Sequence, residues 1–298
     1  MNAQNRAKLW VGPSGWSYDD WYGVVYPLPK PQGFKPLRYL AQFFNAIEVN
    51  SSFYRIPSAR MTASWVPLVP ADFRFAFKLT QIFTHERGEF PGRDDVAAFT
   101  DALRPVREAE RLGPLLMHFP WSFRYTPEAV EWLKRLAEAF GGFDRFVEVR
   151  HTSWAQPAAL DELRAVGGYC NIDQPHLRDC LPPTEHVFGN SAYVRLHGRN
   201  AANWFREDAP AYERYNYLYS ENELREWVGR LNNIVRQAHD VYVFANNHFR
   251  GQGPANALEL RAMLEGRPVR VPDELVREFP RLNAVALSPR EPRLFEDT

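Results

Sequence analysis

The 298-residue chain is predicted to fold as a (β/α)8 barrel, an α/β architecture of the TIM type, and three observations predict it. Eight short apolar runs alternate with helix-like segments along one continuous chain. Near their C-terminal ends, the runs carry polar or charged residues on alternate positions, and side chains alternate faces along a strand. The length suits one barrel, which takes about 250 residues. An apolar face opposite a charged one ordinarily marks a half-solvated antiparallel strand. Intervening helices require a parallel sheet covered by helices instead, so the charged faces must turn inward and converge. An open doubly wound sheet is the alternative, and it leaves inward charge on nearly every strand without an account.

The elements follow in order. Strand one is Leu9–Gly12, running into Pro13-Ser14-Gly15-Trp16 and a long aromatic loop through Trp21, Tyr22 and Tyr26, with a helix around Leu37–Phe44. Strand two is Ala46–Ser52, with a helix near Ala59–Val66; strand three is Phe73–Thr80, with a helix over Asp94–Arg111. Strand four, Leu115–Phe119, precedes a helix that Thr126 caps and Pro127 opens, ending at Gly141-Gly142. Strand five is Arg145–Arg150, with a helix near Pro157–Val166. Strand six is Tyr169–Asp173, followed by an irregular crossover from Pro175 to Asn190. Strand seven, Ala192–His197, leads through a loop with Trp204 and four tyrosines to a helix capped by Ser220, with Glu223 completing a capping box. Strand eight is Val241–Asn246, with a helix near Pro254–Leu264. The expected organisation is one domain over 1–298, with the barrel at about 9–265 and residues 266–298 packed on its outside.

Composition narrows the partners. Thirty-six basic and 36 acidic residues cancel, whereas a duplex-DNA binder that neutralises phosphates carries a basic excess, so zero net charge disfavours a nucleic-acid partner. Two cysteines, Cys170 in an apolar run and Cys180 in a loop, argue against a disulfide scaffold and for a reducing compartment. No apolar run approaches 18 residues and the N-terminus lacks a signal-type segment, so a cytoplasmic protein without a membrane partner is expected.

Several segments resemble those of the YecE-like proteins, also called DUF72, whose fold is a TIM-type barrel. They are Gly12-Pro13-Ser14-Gly15-Trp16-Ser17-Tyr18, Glu48-Val49-Asn50-Ser51-Ser52-Phe53-Tyr54, Phe77-Lys78 with Thr84-His85, and Glu148-Val149-Arg150-His151-Thr152-Ser153-Trp154. Tyr193-Val194-Arg195-Leu196-His197-Gly198, and Asn246-Asn247 with Asn256-Ala257, complete the set, which spans about residues 9–265. His118-Phe119-Pro120-Trp121 departs from it, standing where a glutamine and two prolines are expected. The resemblance implies the fold and no particular reaction.

Barrel enzymes place their chemistry at the C-terminal ends of the strands. The expected catalytic set there is Glu48, Lys78, Glu148, Asp173 and His197. Glu148 or Glu48 would act as general acid or base, His197 as second proton carrier, and Lys78 as stabiliser or nucleophile. Ser14, Trp16, Asn50, His118, Arg150, His151, Trp154, Arg195, Asn246 and His248 are expected to bind substrate. Arg150 and Arg195 would form the clamp for a small phosphate- or carboxylate-bearing ligand, since guanidinium groups fit such anions bidentately. The opposing account is a self-satisfied ion-pair network, in which those arginines and Lys78 neutralise Glu48, Glu148 and Asp173.

Four histidines at strand ends, residues 118, 151, 197 and 248, with nearby carboxylates raise a divalent metal as an alternative. The missing His-x-His and His-x-x-x-His spacings and the three nearby cations oppose it, so no cofactor is expected. Loop aromatics (Trp16, Trp21, Phe53, Tyr54, Trp121, Trp154, Trp204 and Phe249) suggest a stacking rim for a sugar or base. The leading expectation is an enzyme, with a nucleic-acid-processing protein or a non-catalytic ligand sensor as alternatives.

Overall fold

The computed structural model describes residues 7–206, 208 and 210–287. Its eight strands are all parallel: β1 (Lys8–Pro13), β2 (Ala46–Val49), β3 (Arg74–Lys78), β4 (Leu112–His118), β5 (Arg145–Glu148), β6 (Gly168–Asp173), β7 (Ser191–Leu196) and β8 (Asp240–Ala245). They form one sheet in the order β1-β8-β7-β6-β5-β4-β3-β2, which brings β1 and β2 edge to edge.

That last seam is closed by side chains and one bridge rather than by a full ladder. The Asn45 amide accepts from Val11 N at 2.9 Å and donates to the Leu9 carbonyl at 2.7 Å, taking the place of a strand peptide. Above it Ser14 and Glu48 form an isolated parallel bridge, with Gly15 N donating to Glu48 O at 2.8 Å. A side chain on Gly12 would put its Cβ 1.8 Å from the Ala46 carbonyl oxygen, so the seam closes only with glycine there.

The sheet is buried on both faces. Outward-facing residues such as Ile47, Val49, Phe75, Phe77, Val147, Val194 and Val243 pack beneath the helices. Among those helices, α1 (Pro36–Leu40), α2 (Ser51–Tyr54), α3 (Ala59–Trp65), α4 (Gln81–Thr84) and α5 (Arg93–Glu108) precede β4. α6 (Pro127–Ala139), α7 (Pro157–Val166), α8 (Glu221–Val235) and α9 (Gln252–Glu265) follow. The Thr126 cap and the Ser220–Glu223 capping box form as their sequence spacing predicts. No helix separates β6 from β7, in keeping with the proline-rich crossover. The second strand is shorter than read from sequence: it ends at Val49, and Ser51–Tyr54 turns into helix, with Ser52 Oγ 2.8 Å from the Val49 and Lys78 carbonyl oxygens.

Inside the barrel, Trp10, Ala46, Ala76, Leu116, Phe146, Cys170, Ile172, Tyr193, Tyr242 and Phe244 form an apolar plug. Two residues further along β2, β3, β4, β5, β7 and β8 the same inward face carries Glu48, Lys78, His118, Glu148, Arg195 and Asn246, and four residues beyond Trp10 at the end of β1 it carries Ser14, so the plug becomes a polar layer at the C-terminal end. α10 (Asp273–Glu278) and the turn after it lie outside the barrel, where Leu275 and Leu282 are buried and Arg281 Nη2 meets Glu259 Oε2 at 2.7 Å.

Candidate functional site

Two glutamates share one arginine at the centre of the polar layer. Arg195 Nη2 donates to Glu48 Oε1 at 2.7 Å and Nη1 donates to Glu148 Oε2 at 2.6 Å. Glu48 also accepts from Ser14 Oγ at 2.8 Å and from the Tyr193 hydroxyl at 2.7 Å. Glu148 Oε1 accepts from Arg150 Nε at 2.9 Å and Nη2 at 2.8 Å. Glu48, Glu148 and Arg195 are all 0% exposed, a placement that costs several kcal/mol per ion unless the charges pair and fill their hydrogen bonds. Burial opposes ionisation of Glu148, but Arg195, His197 and Arg150 together outweigh it and hold the carboxyl well below its ordinary range.

The histidines around this network are neutral. Asn246 Nδ2 lies 3.0 Å from His197 Nδ1, and His197 Nε2 lies 3.1 Å from Glu148 Oε1. An amide NH2 can only donate and a carboxylate can only accept, so the proton of His197 is assigned to Nε2. Burial pushes the His197 pKa down to about 3, Glu148 opposing. Burial likewise carries His118 well below its usual range, although its Nε2 is 3.6 Å from Glu148 Oε1. His85, beside His118 at 5.0 Å between ring centroids, falls to about 4 for the same reason.

Above the network opens a cleft of about 480 Å³, walled by Trp16, Tyr18, Tyr54, Met61, Trp65 and Tyr215 and floored by Asn50, Lys78, Asn246 and His248. The walls are braced against each other: Trp16 meets Trp65 edge-on at 5.1 Å, and Tyr18 stacks on His248 at 4.6 Å. His248 Nδ1 lies 3.1 Å from the Asn246 carbonyl oxygen and must donate to it, leaving Nε2 as the proton acceptor of the ring. The Asn50 amide donates to the Tyr18 hydroxyl at 3.3 Å, and its buried Oδ1 has no hydrogen-bond partner among the described residues.

Lys78 differs from the other charges of the layer. Its Nζ makes no hydrogen bond or ion pair within 4.0 Å among the described residues; its recorded neighbour is the Phe53 ring, 5.3 Å from Nζ to the centroid. Burial, and after it the positive field of Arg195, lower its pKa to about 7, with Glu48 and Glu148 offsetting part of the effect.

The structure therefore brings Ser14, Glu48, Lys78, His118, Glu148, Arg150, Arg195, His197 and Asn246 together, with Trp16, Asn50 and His248 in the cleft above. Asp173 is a correction. The β6 register turns Cys170 and Ile172 inward and Asp173 outward, where it pairs with Arg199 at 2.9 Å and accepts from Trp227 Nε1 at 2.6 Å. Trp154 is a second: it is 0% exposed, stacked on Phe123 and donating to the Phe123 carbonyl at 2.7 Å, so it is loop core. His151 is a third. It caps the turn after β5 by accepting from Ser153 N at 3.0 Å, with its ring against Trp121, away from the glutamates.

The arginine clamp is corrected in part, because Arg195 is sealed beneath the cleft with both terminal nitrogens committed to glutamates. Of the loop aromatics, Trp16 and Tyr54 face the cleft, whereas Trp21 and Trp204 are buried. Tyr18, Tyr193 and Tyr215 join the site without a sequence signal of their own, because a tyrosine in an apolar run or an aromatic loop reads as packing. Among the described residues, no group of three or more His, Cys, Asp or Glu side chains is arranged to hold a metal ion, and no helix is long and apolar enough to cross a membrane.

An eight-stranded parallel barrel with a charged layer at its C-terminal end defines the class. The chain belongs to the family described as "Protein of unknown function DUF72", whose pattern it matches over residues 10–281. It is 30% identical over 271 residues to UPF0759 protein YunF of Bacillus subtilis, covering 86% of this chain and 95% of that protein. UPF0759 protein YecE of Escherichia coli is 28% identical over 145 residues, 48% of each chain. A crystal structure of a DUF72 family protein from Thermotoga maritima superposes with a TM-score of 0.76 at 34% identity, covering 86% of this chain and 99% of that one. One from Enterococcus faecalis gives a TM-score of 0.76 at 25% identity, covering 87% and 96%.

Proposed function

We propose that this protein is an enzyme that acts on a small anionic molecule held in the aromatic cleft, with Lys78 as the charge that receives it and as the proton carrier. The supporting observation is that, among the described residues, Lys78 is the charge of the polar layer without an ion-pair partner. Glu48, Glu148, Arg150 and Arg195 are paired with one another, so in this reading they set the field rather than meet the substrate. A buried amine that titrates near neutrality can exchange a proton at physiological pH, which a carboxylate held far below its usual range cannot. Asn50 and Asn246 supply neutral hydrogen-bonding groups beside it, and Trp16, Trp65, Tyr54 and Tyr215 supply surface for an apolar or planar portion of the molecule. Acid–base work thus moves from the glutamates and His197 to Lys78, with His248 Nε2 as the second acceptor.

The test is calorimetric titration of small carboxylates and phosphate esters into the wild type and Lys78→Met. Binding by the wild type that weakens at least about tenfold in Lys78→Met supports the reading, since a desolvated charged contact contributes about 2–4 kcal/mol. Equal affinities in the two proteins would remove Lys78 from the site.

A further inference from the structure

We propose that Lys78 is a nucleophile toward carbonyl compounds: its amine adds to an aldehyde or ketone in the cleft and forms a covalent imine, so that the substrate is a small carbonyl compound with an anionic group and an apolar or planar part. This rests on the assignment of the cleft as the substrate site and deepens it. Four observations support it together. Nζ stands at the floor of the cleft without an ion-pair partner within 4.0 Å among the described residues, whereas an amine held in a salt bridge has its lone pair blocked by a proton. The field that would hold that proton is cancelled, because Glu48 and Glu148 are each bound to Arg195, and Glu148 to Arg150 as well. The walls are aromatic rings, which offer an apolar or planar part of the substrate a surface to pack on beside the imine. Asn246 spends its NH2 on His197, and the buried Oδ1 of Asn50 has no hydrogen-bond partner among the described residues, so the floor offers a neutral acceptor for an N–H or O–H group.

The step balances without an oxidant or reductant. The Lys78 nitrogen lone pair bonds to the carbonyl carbon, and the C=O π pair moves to oxygen. The oxygen takes one proton from the nitrogen and one from solvent, which the open cleft admits. The C–O bond breaks and water leaves as the C=N bond forms, leaving an iminium with one N–H. That cation draws electrons from the neighbouring carbon and acidifies its C–H bond, or weakens a bond to an adjacent carboxylate.

The chain offers an internal standard, since it has five lysines and the other four are Lys8, Lys30, Lys35 and Lys134. The full-length protein is incubated at pH 7 with 2-carboxybenzaldehyde or glyoxylate and sodium cyanoborohydride, and the reduced adducts are mapped by mass spectrometry. Adduct formation at Lys78 at least about tenfold faster than at the other four, and saturable in aldehyde, supports the proposal, because an amine of pKa about 7 is half neutral at that pH and ordinary lysines are almost wholly protonated. Comparable rates at all five lysines would overturn it. The wild-type map does not depend on any variant folding. The Lys78 pKa, read by 13C NMR after reductive methylation, separates the two readings. A value near 7 with no preference for Lys78 removes the imine and leaves the acid–base role. A value near the ordinary 10.5 removes both.

Discussion

Arg195 meets Glu148 at 2.6 Å in a place where neither side chain touches solvent. The same guanidinium also holds Glu48, so one cation from β7 ties β2 to β5 across the full width of the barrel. Truncating it leaves two buried carboxylates short of their partner. Arg195→Ala is expected to lose about 3–5 kcal/mol in urea unfolding. A loss under about 1 kcal/mol would mean that the glutamates are neutral or relax into water, and that the network does not hold the strands.

Lys78 gives stability an alkaline slope. Its folded pKa, about 7, lies below the unfolded value, so the folded state binds fewer protons between pH 7 and about 10.5 and the lysine's contribution grows as pH rises through that window. Below pH 7 the buried ammonium carries its whole cost. Lys78→Met should therefore be more stable than wild type at pH 6, by roughly 2–4 kcal/mol, and the difference should shrink steadily toward pH 10. Parallel wild-type and variant curves across pH 6–10 would contradict this.

Asn246 sets the protonation of His197 by donating to Nδ1. An aspartate at that position accepts instead of donating, and with Glu148 on the opposite nitrogen the ring lies between two carboxylates. Asn246→Asp should raise the His197 pKa from about 3 to above 6.5, measured by histidine 15N shifts. A ring still neutral at pH 5 in the variant would show that burial outweighs both charges.

Asp173 serves the outer layer, where it anchors Arg199 and the indole of Trp227 on α8. Asp173→Ala should cost about 2–4 kcal/mol in thermal or urea unfolding. The Lys78 pKa should stay within about half a unit of its wild-type value. A larger shift would return Asp173 to the polar layer.

The chain's own pattern carried the barrel and most of the polar layer. Alternation along Ala46-Ile47-Glu48-Val49 or Tyr193-Val194-Arg195-Leu196-His197 has a period of two, and intervening helices force the sheet to be parallel, so the charged face has only the barrel interior to occupy. β6 shows where that reasoning stops. Cys170-Asn171-Ile172-Asp173 alternates as cleanly as its neighbours, yet its polar residues face the helices. Asn171 takes its bonds from the crossover, where Thr184 Oγ1 donates to it at 2.8 Å and His186 N at 2.8 Å, and Asp173 takes its own from Arg199 and Trp227. A strand buried on both faces places polar groups wherever partners lie, and those partners are remote in sequence.

The commitment of charges was likewise a tertiary matter. Sequence supplied Glu48, Lys78, Glu148, Arg150 and Arg195 as candidates on equal terms. Hydrogen-bond geometry over separations of up to 147 residues paired four of them and left the lysine without a partner among the described residues. Which strand ends face the interior follows from a local period; which of the charges gathered there remains available depends on distances of a few tenths of an ångström, and only the closed barrel sets those.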